Sequence, residues 1–292
     1  MNADTEDSRH ATGLAIRTMR PDDVDLGLEL CRLAGWNQVE PDWRRLLTLA
    51  PDGLFVAEQD GAACGTASTT CYGQKTAWIG MVLVHPDFRK RGIGTALLVR
   101  CIEHLRARRI ESIKLDATDL GRPVYLNLDF KDERPIWRYA GQKPSGIVAD
   151  PKARDIRSED WPQIAEIDRL AFDADRLELL KLLSGEGPSA TAEAADGIGA
   201  YGFARAGFHA SFLGPVVATD ACAARSVVES LLAELPEGEV FWDILPDNAA
   251  GKQLAESLGF AVGRRLTRMY LGDRMHPGEV SMVYGAAGFE VG

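Results

Sequence analysis

An arginine and two glycines, Arg89-x-x-Gly92-x-Gly94, separate an apolar run, Met81-Val82-Leu83-Val84, from a stretch that reads as a helix. Glycine carries no Cβ, so an anion can approach the backbone closely at Gly92 and Gly94. The first N–H groups of a helix have no acceptor within it and converge on one spot, where the helix dipole is positive. Strand, glycine turn and helix start together form a phosphate-binding device. Arg89, Lys90 and Arg91 add positive charge there, in a chain whose net charge is −10. A P-loop is absent, and G-x-G-x-x-G fails because Thr95, Ala96 and Leu97 follow Gly94.

The elements that must hold this turn are legible around it. Residues 92–109 place Ile93, Leu97, Leu98, Cys101, Ile102 and Leu105 at helical spacing, with Arg100, Glu103, His104, Arg106 and Arg108 elsewhere on the wheel. A short strand, Ser112 to Ala117, follows. Residues 121–130 then read as a short helix that contains Tyr125 and ends at Phe130.

With that context the segment resembles the GNAT family of acetyl-CoA-dependent N-acetyltransferases. Their signature is Gln/Arg-x-x-Gly-x-Gly/Ala, placed after a strand and opening a long helix, followed downstream by Tyr, three residues and Gly-Phe. Here Asp129 stands where that glycine usually is, a departure that concerns a helix end. The resemblance implies a splayed pair of strands that admits the pantetheine arm of acetyl-CoA. It assigns Val82, Leu83 and Val84 to main-chain pairing with that arm, with an N–H near Val84 polarising the thioester carbonyl. It assigns Arg89, Lys90, Arg91, Gly92, Ile93, Gly94 and Thr95 to the pyrophosphate, and Tyr125 to protonation of the departing thiolate. A phenol of pKa about 10 serves a thiolate of about 8.5 only as a fleeting partner, so geometry must make the assignment.

The chain also repeats itself. Ile16-Arg17 and Ile156-Arg157 each open a strand, and Asp60-Gly61 and Asp196-Gly197 are matching hairpin signals. Leu128-Asp129-Phe130 recurs as Leu258-Gly259-Phe260, each followed by a basic, strand-like segment ending in Tyr139 or Tyr270. The order is kept throughout. The expected fold is α/β (α+β), two tandem GNAT-like domains, each a mixed, mostly antiparallel twisted sheet flanked by helices. The expected organisation is a disordered tail over 1–13, a catalytic domain over 14–141, a linker over 142–152 rich in turn formers, and a degenerate copy over 153–292. In that copy Cys222, Ala224, Arg225 and Val227 stand opposite Arg89, Arg91, Gly92 and Gly94, and Ala255 stands opposite Tyr125. A helix start of that kind can cap itself but cannot admit a pyrophosphate. The second copy is left to shape the acceptor pocket, cover the first or form a homodimer.

Composition sets the outer limits. The 292 residues suit two domains. Thirty-three basic against 43 acidic residues argue against a nucleic-acid surface and mildly favour an amine substrate. Five cysteines, an odd number without C-x-x-C, read as free thiols in a reducing cytoplasm. The first residues are polar and acidic, unlike a signal peptide, and no run is apolar for the ~18 residues a membrane span needs.

The acceptor side is less marked. Trp36 and Asn37, in a loop between two helical stretches, could supply stacking and an amide, or an anchor to the core. Asp116 could orient an amine or cap a turn. Tyr72 and Trp78 read as packing, and Asp168, Asp173, Arg176 and Asp243 as solvated or ion-paired groups that could alternatively face the cleft. His10, His85, His104, His209 and His276 are scattered, so no metal is expected, and His85 reads as structural. No cysteine has a histidine or other base beside it, which favours direct transfer over an acyl-enzyme. The implied function is acetyl transfer from acetyl-CoA to a primary amine of a small molecule. A non-catalytic acyl-CoA sensor and a protein or peptide acetyltransferase are the alternatives.

Overall fold

The computed structural model describes residues 13–195 and 197–292. The expected tail over residues 1–12 and the Asp196 half of the second hairpin signal lie outside the described residues. The first half contains β1 (Leu14–Thr18), α1 (Val24–Leu33), α2 (Glu40–Leu49), β2 (Leu54–Gln59), β3 (Ala62–Tyr72), β4 (Thr76–Val84), α3 (Ile93–Ala107), β5 (Ser112–Ala117), α4 (Arg122–Leu126) and β6 (Lys131–Gln142). The second half repeats that order as β7 (Ala153–Arg154), α5 (Trp161–Phe172), α6 (Leu177–Ser184), β8 (Ser189–Ala194), β9 (Gly197–Arg205), β10 (Ser211–Ala218), α7 (Ala221–Glu234), β11 (Glu239–Ile244), α8 (Ala249–Ser257) and β12 (Ala261–Gly272). One strand, β13 (Val283–Gly285), has no counterpart among the described residues of the first half.

Small devices recur along with the elements. Arg17 binds Asp23 through both carboxylate oxygens, and Asp23 accepts from the Arg20 N–H at 2.7 Å. Arg154, Asp160 and Arg157 repeat the arrangement, again at 2.7 Å to the N–H. The helix ends before Phe130 and Phe260 are twins as well. Asp129 has φ 66° and Gly259 φ 86°, and the N–H of each Phe bonds back to residue 125 or 255 at 3.1 Å. The turn needs a left-handed residue, which glycine adopts freely and aspartate tolerates. This explains why Asp129 can replace the usual glycine.

All strands join one sheet in the order β1-β2-β3-β4-β5-β12-β6-β11-β10-β9-β8-β7, with β13 beside β10. Pairing is antiparallel except for β4 with β5 and β10 with β11. The closing strands are exchanged. β12 lies between β5 and β6, with Thr267 opposite Ala117, while β6 pairs with β11, Trp137 opposite Ile244. Gly141 and Gln142 therefore continue β6, opposite Val240 and Glu239, and the connection between the halves begins at Lys143.

On one face α3 buries Ile93, Leu97, Leu98, Cys101, Ile102 and Leu105 against β2 to β5, the stripe its spacing predicts. α7 does the same against the second half. On the opposite face α1, α2, α5 and α6 share a single core in which Trp43, Leu46 and Trp78 meet Leu180, Leu183, Tyr201 and Phe203. Trp78 is thus packing, as is Tyr72, whose hydroxyl donates to the Val291 carbonyl at 2.7 Å. No helix among the described residues is long and apolar enough to cross a membrane.

Candidate active site

β4 and β5 pair only where Thr76–Trp78 face Ser112–Lys114. Beyond Trp78 they diverge, because β4 follows β3 through a bulge in which Ser68 opposes Gly80 but Thr66 opposes Leu83. Met81 takes φ 51° within it. Val82, Leu83 and Val84 line the resulting wedge, with no strand partner on the β5 side. Gly80 is required here, since a Cβ would stand 2.7 Å from the Glu290 Cα.

At the wide end of the wedge lies the start of α3. Gly92 has φ 80° and the helix start has no side-chain cap. Ala96 is the first residue to bond back, to the Gly92 carbonyl at 3.0 Å, so the N–H groups of Ile93, Gly94 and Thr95 precede the helical ladder. A Cβ at Gly92 would meet nothing within 4 Å and one at Gly94 only Val84 at 3.7 Å. Protein packing does not demand these glycines, but Gly92's backbone angle does, and close approach of a ligand suits both. A cavity of about 300 Å³ opens there, lined by Arg89, Lys90, Gly92, Ile93, Gly94 and Thr95 together with Tyr125. Arg89 Nε donates to the Val84 carbonyl at 3.1 Å, tying the basic turn to β4. Arg91 is engaged elsewhere: it donates to the Asp87 carbonyl at 2.9 Å, stacks over Phe88 and does not line the cavity. His85 is structural, its Nδ1 accepting from the Asp87 N–H at 3.3 Å.

A second cavity of about 440 Å³ continues along the wedge toward the second half, and Tyr125 lines both. Its ring leans on Phe130, and its hydroxyl has no protein hydrogen-bond partner among the described residues. Burial pushes this phenol above its ordinary value, so it stays protonated at neutral pH.

Of the acceptor-side residues named from the sequence, Trp36, Asn37 and Asp116 line this second cavity, although two have other commitments, while Tyr72, Trp78, Asp168, Asp173, Arg176 and Asp243 do not line it. Trp36 is half buried in its wall. The Asn37 carboxamide makes three of its four hydrogen bonds to the protein: Oδ1 accepts from the His209 and Ala210 N–H groups at 2.8 and 3.0 Å, and Nδ2 donates to the Ala210 carbonyl at 2.9 Å. It latches the loop after β9 onto the first half. Asp116 is held by both oxygens on Arg268, at 2.8 and 3.0 Å, with its carboxylate fully buried. The cavity floor is thus charge-neutral at this point. Asp243 is likewise bound to Arg138 at 2.8 Å, Asp168 to Arg176, and Asp173 to Lys75 and His276.

The sequence left the second half a part in shaping the acceptor pocket but did not point to the residues of its wall: Phe241, Arg264, Leu266, Phe289 and Glu290, with Arg138 and Gln38 from the first. Glu290 accepts from Gln38 Nε2 at 3.1 Å and lies 3.6 Å from Arg205, while burial raises its carboxyl above the usual range. A glycine inside an apolar strand, Ile79-Gly80-Met81, was the available signal that another segment approaches closely.

The twin cleft is closed. β10 and β11 also part after a short parallel pairing, Ser211–Leu213 with Val240–Trp242. The gap is filled by β13, which pairs with β10 at Val216 and Val217, while Trp242 Nε1 donates to the Tyr284 carbonyl at 2.9 Å. At the start of α7, the Asp220 carboxylate accepts from the Cys222 and Ala223 N–H groups at 2.8 and 2.9 Å. A carboxylate already holds the place of an anion, and its charge repels another.

Two family models match the chain. Residues 28–130 match the acetyltransferase (GNAT) family and residues 164–285 an acetyltransferase (GNAT) domain. The chain belongs to the GNAT acetyltransferases, whose reaction is acyl transfer from an acyl-CoA. It is a tandem member. Among curated relatives, the uncharacterized N-acetyltransferase YitH of Bacillus subtilis is 28% identical over 162 residues, covering 53% of this chain and 55% of that protein. An uncharacterized N-acetyltransferase of Methanocaldococcus jannaschii is 32% identical over 140 residues, covering 41% of this chain and 62% of the relative. The match thus spans a little over half the length of these relatives. Among solved structures, a candidate acetyltransferase of Pyrococcus horikoshii covers the whole of both chains with a TM-score of 0.84 at 24% identity. A tandem GNAT protein from the clavulanic acid biosynthesis pathway covers 90% of this chain and 100% of its own, with a TM-score of 0.65 at 17% identity. These two likenesses show the fold.

Proposed function

We propose that the protein transfers the acetyl group of acetyl-CoA directly to a primary amine of a small molecule. The observation that carries this reading is the asymmetry of the twins: one cleft is open and glycine-lined, the other plugged by β13 and capped by Asp220. Bound acetyl-CoA supplies an electrophilic thioester carbonyl. The N–H groups opening α3, with Arg89 and Lys90, hold the pyrophosphate. The free edge of β4 at Val82–Val84 receives the pantetheine arm and leaves one N–H to polarise the carbonyl. The Tyr125 hydroxyl, at the junction of the two cavities, donates its proton to the departing sulfur. Direct transfer is supported by the cysteines, none of which lines either cavity; burial raises the Cys31 thiol to about 12 and Cys101 also upward.

A cavity of about 440 Å³ walled on one side by the second half suits a small molecule better than a protein tail. A purely sensing role would not need a protonated phenol at the junction. Titration calorimetry should find one acetyl-CoA site per chain, and thiol release should require an added amine. Two equivalent sites, or binding with no amine able to trigger release, would overturn the proposal. Gly92→Glu should lose acetyl-CoA binding by at least about a hundred-fold, because a carboxylate then faces the pyrophosphate and φ 80° is strained for any side chain.

A further inference from the structure

The acceptor cavity carries one guanidinium too many. On β12 an extra residue, Gly263, bulges between Val262, which opposes Tyr139, and Arg264, which opposes Arg138. Bulges re-aim side chains, and this one sets two arginines directly across from each other on adjacent strands. Arg138 spends its charge on Asp243, through two bonds of 2.8 Å. The buried arginines nearby each have an ion pair: Arg268 with Asp116, Arg176 with Asp168, and Arg45 and Arg205 with Asp42 and Glu290. Arg264 has no ion pair and no side-chain hydrogen bond among the described residues, yet it lines the cavity. Asp119, in the shallow groove just outside, makes no ion pair with it. Arg264 is an exposed residue at the cavity rim, where partial desolvation and the neighbouring Arg138 act against its positive charge while Asp243 acts for it. Across the strands the row reads Arg264, Arg138, Asp243: two positive charges and one negative. Like charges directly opposite on adjacent strands are destabilising, and an anion bound beside Arg264 would offset that repulsion.

We infer that the acceptor is an amine that also carries an anionic oxygen group, carboxylate or phosphate, and that Arg264 binds this group while the amine reaches toward Tyr125. The inference rests on the proposed amine acetylation and narrows it to a substrate class. Arg264 belongs to the second half, so the exchanged strand β12 then delivers the specificity of a reaction whose chemistry lies in the first. Charge-assisted hydrogen bonds to a guanidinium favour such a group, and a planar carboxylate can be held by two of them.

The experiment is a thiol-release assay of the full chain with acetyl-CoA and matched acceptors: glutamate, lysine and 4-aminobutyrate against their amines without carboxylate, and O-phosphoethanolamine against ethanolamine. The anionic member of at least one pair should have the higher kcat/KM by about ten- to hundred-fold, and the amino-acid and phosphate arms separate the two sources of charge. Arg264→Ala should raise KM for that acceptor by a similar factor, leave KM for acetyl-CoA within about two-fold, and abolish the preference. Arg264→Lys should restore part of it. Equal or better turnover of the members without the anionic group, or an Arg264→Ala variant with unchanged preference, overturns this inference and leaves amine acetylation standing. Failure of every amine to release thiol overturns the proposed function, and this inference with it.

Discussion

Replacing Tyr125 by phenylalanine removes one oxygen from the junction of the two cavities, and the structure sets what that should cost. The ring rests on Phe130, a contact phenylalanine keeps, and the hydroxyl has no protein partner whose loss would strand a buried group. Stability should therefore change by less than about 0.5 kcal/mol. A positioned general acid contributes about 10²–10⁴ in rate, or about 2.7–5.4 kcal/mol of barrier. The chemical step should fall by that factor in single-turnover thiol release. KM for acetyl-CoA should stay within about two-fold, because the α3 turn and the β4 edge are untouched. The pH profile gives an independent check. Burial opposes the phenolate, so the folded-state pKa lies above the ordinary value of about 10, and the proton is held from neutral pH to beyond pH 9. Wild-type kcat should not decline between pH 7 and 9 through this group. A variant within about three-fold of wild type, measured where chemistry limits turnover, would refute the assignment of Tyr125 as the acid.

Two further predictions concern the charged seam beneath the cavity. Asp116→Asn leaves the Arg268 guanidinium buried without its counter-charge and should lower unfolding free energy by about 3–5 kcal/mol in urea titration, whereas Asp116→Leu with Arg268→Met should recover most of it; a single-variant loss below about 1 kcal/mol would contradict the reading. Burial lowers Lys114 to about 8 despite its ion pair with Glu133 at 2.9 Å. Its charged form is thus disfavoured on folding, so its contribution should improve as pH rises from about 8 toward the unfolded value of about 10.5. Wild-type stability measured against Lys114→Met should climb over that window, and a flat difference would count against the burial argument.

Local signals carried much of the site. Arg89, Gly92, Gly94 and Tyr125 line one cavity, and the sequence could bring them together because they lie on a strand, a turn and helices contiguous along the chain. The repeat was legible for the same reason, down to Asp129 and Gly259 at matching left-handed positions. What escaped depends on pairing between distant segments. Nothing local says that β12 closes the first half's sheet, or that residues 283–285 fill the twin cleft. The acidic candidates fared accordingly: Asp116 looks available in sequence and Asp243 reads as solvated or ion-paired, but the partners could not be named, because Arg268 and Arg138 belong to the opposite halves. Arg264 lay in a segment visibly basic and strand-like, but its lack of a partner is a property of the assembled sheet.

The strand exchange has a consequence for how the molecule is made. While the chain is being synthesised, β5 exists long before residues 261–272, its eventual neighbour. Until then the edge of β5 lacks its final neighbour, and β6 lacks β12. Such edges are templates for pairing with other chains. The first half therefore reaches its final sheet order only once the closing strand of the second is made, and the cleft gains its last wall, Phe289 and Glu290, later still. A chain truncated before residue 261 would lack the final neighbour of β5, and an open edge of that kind is a template for pairing with another chain.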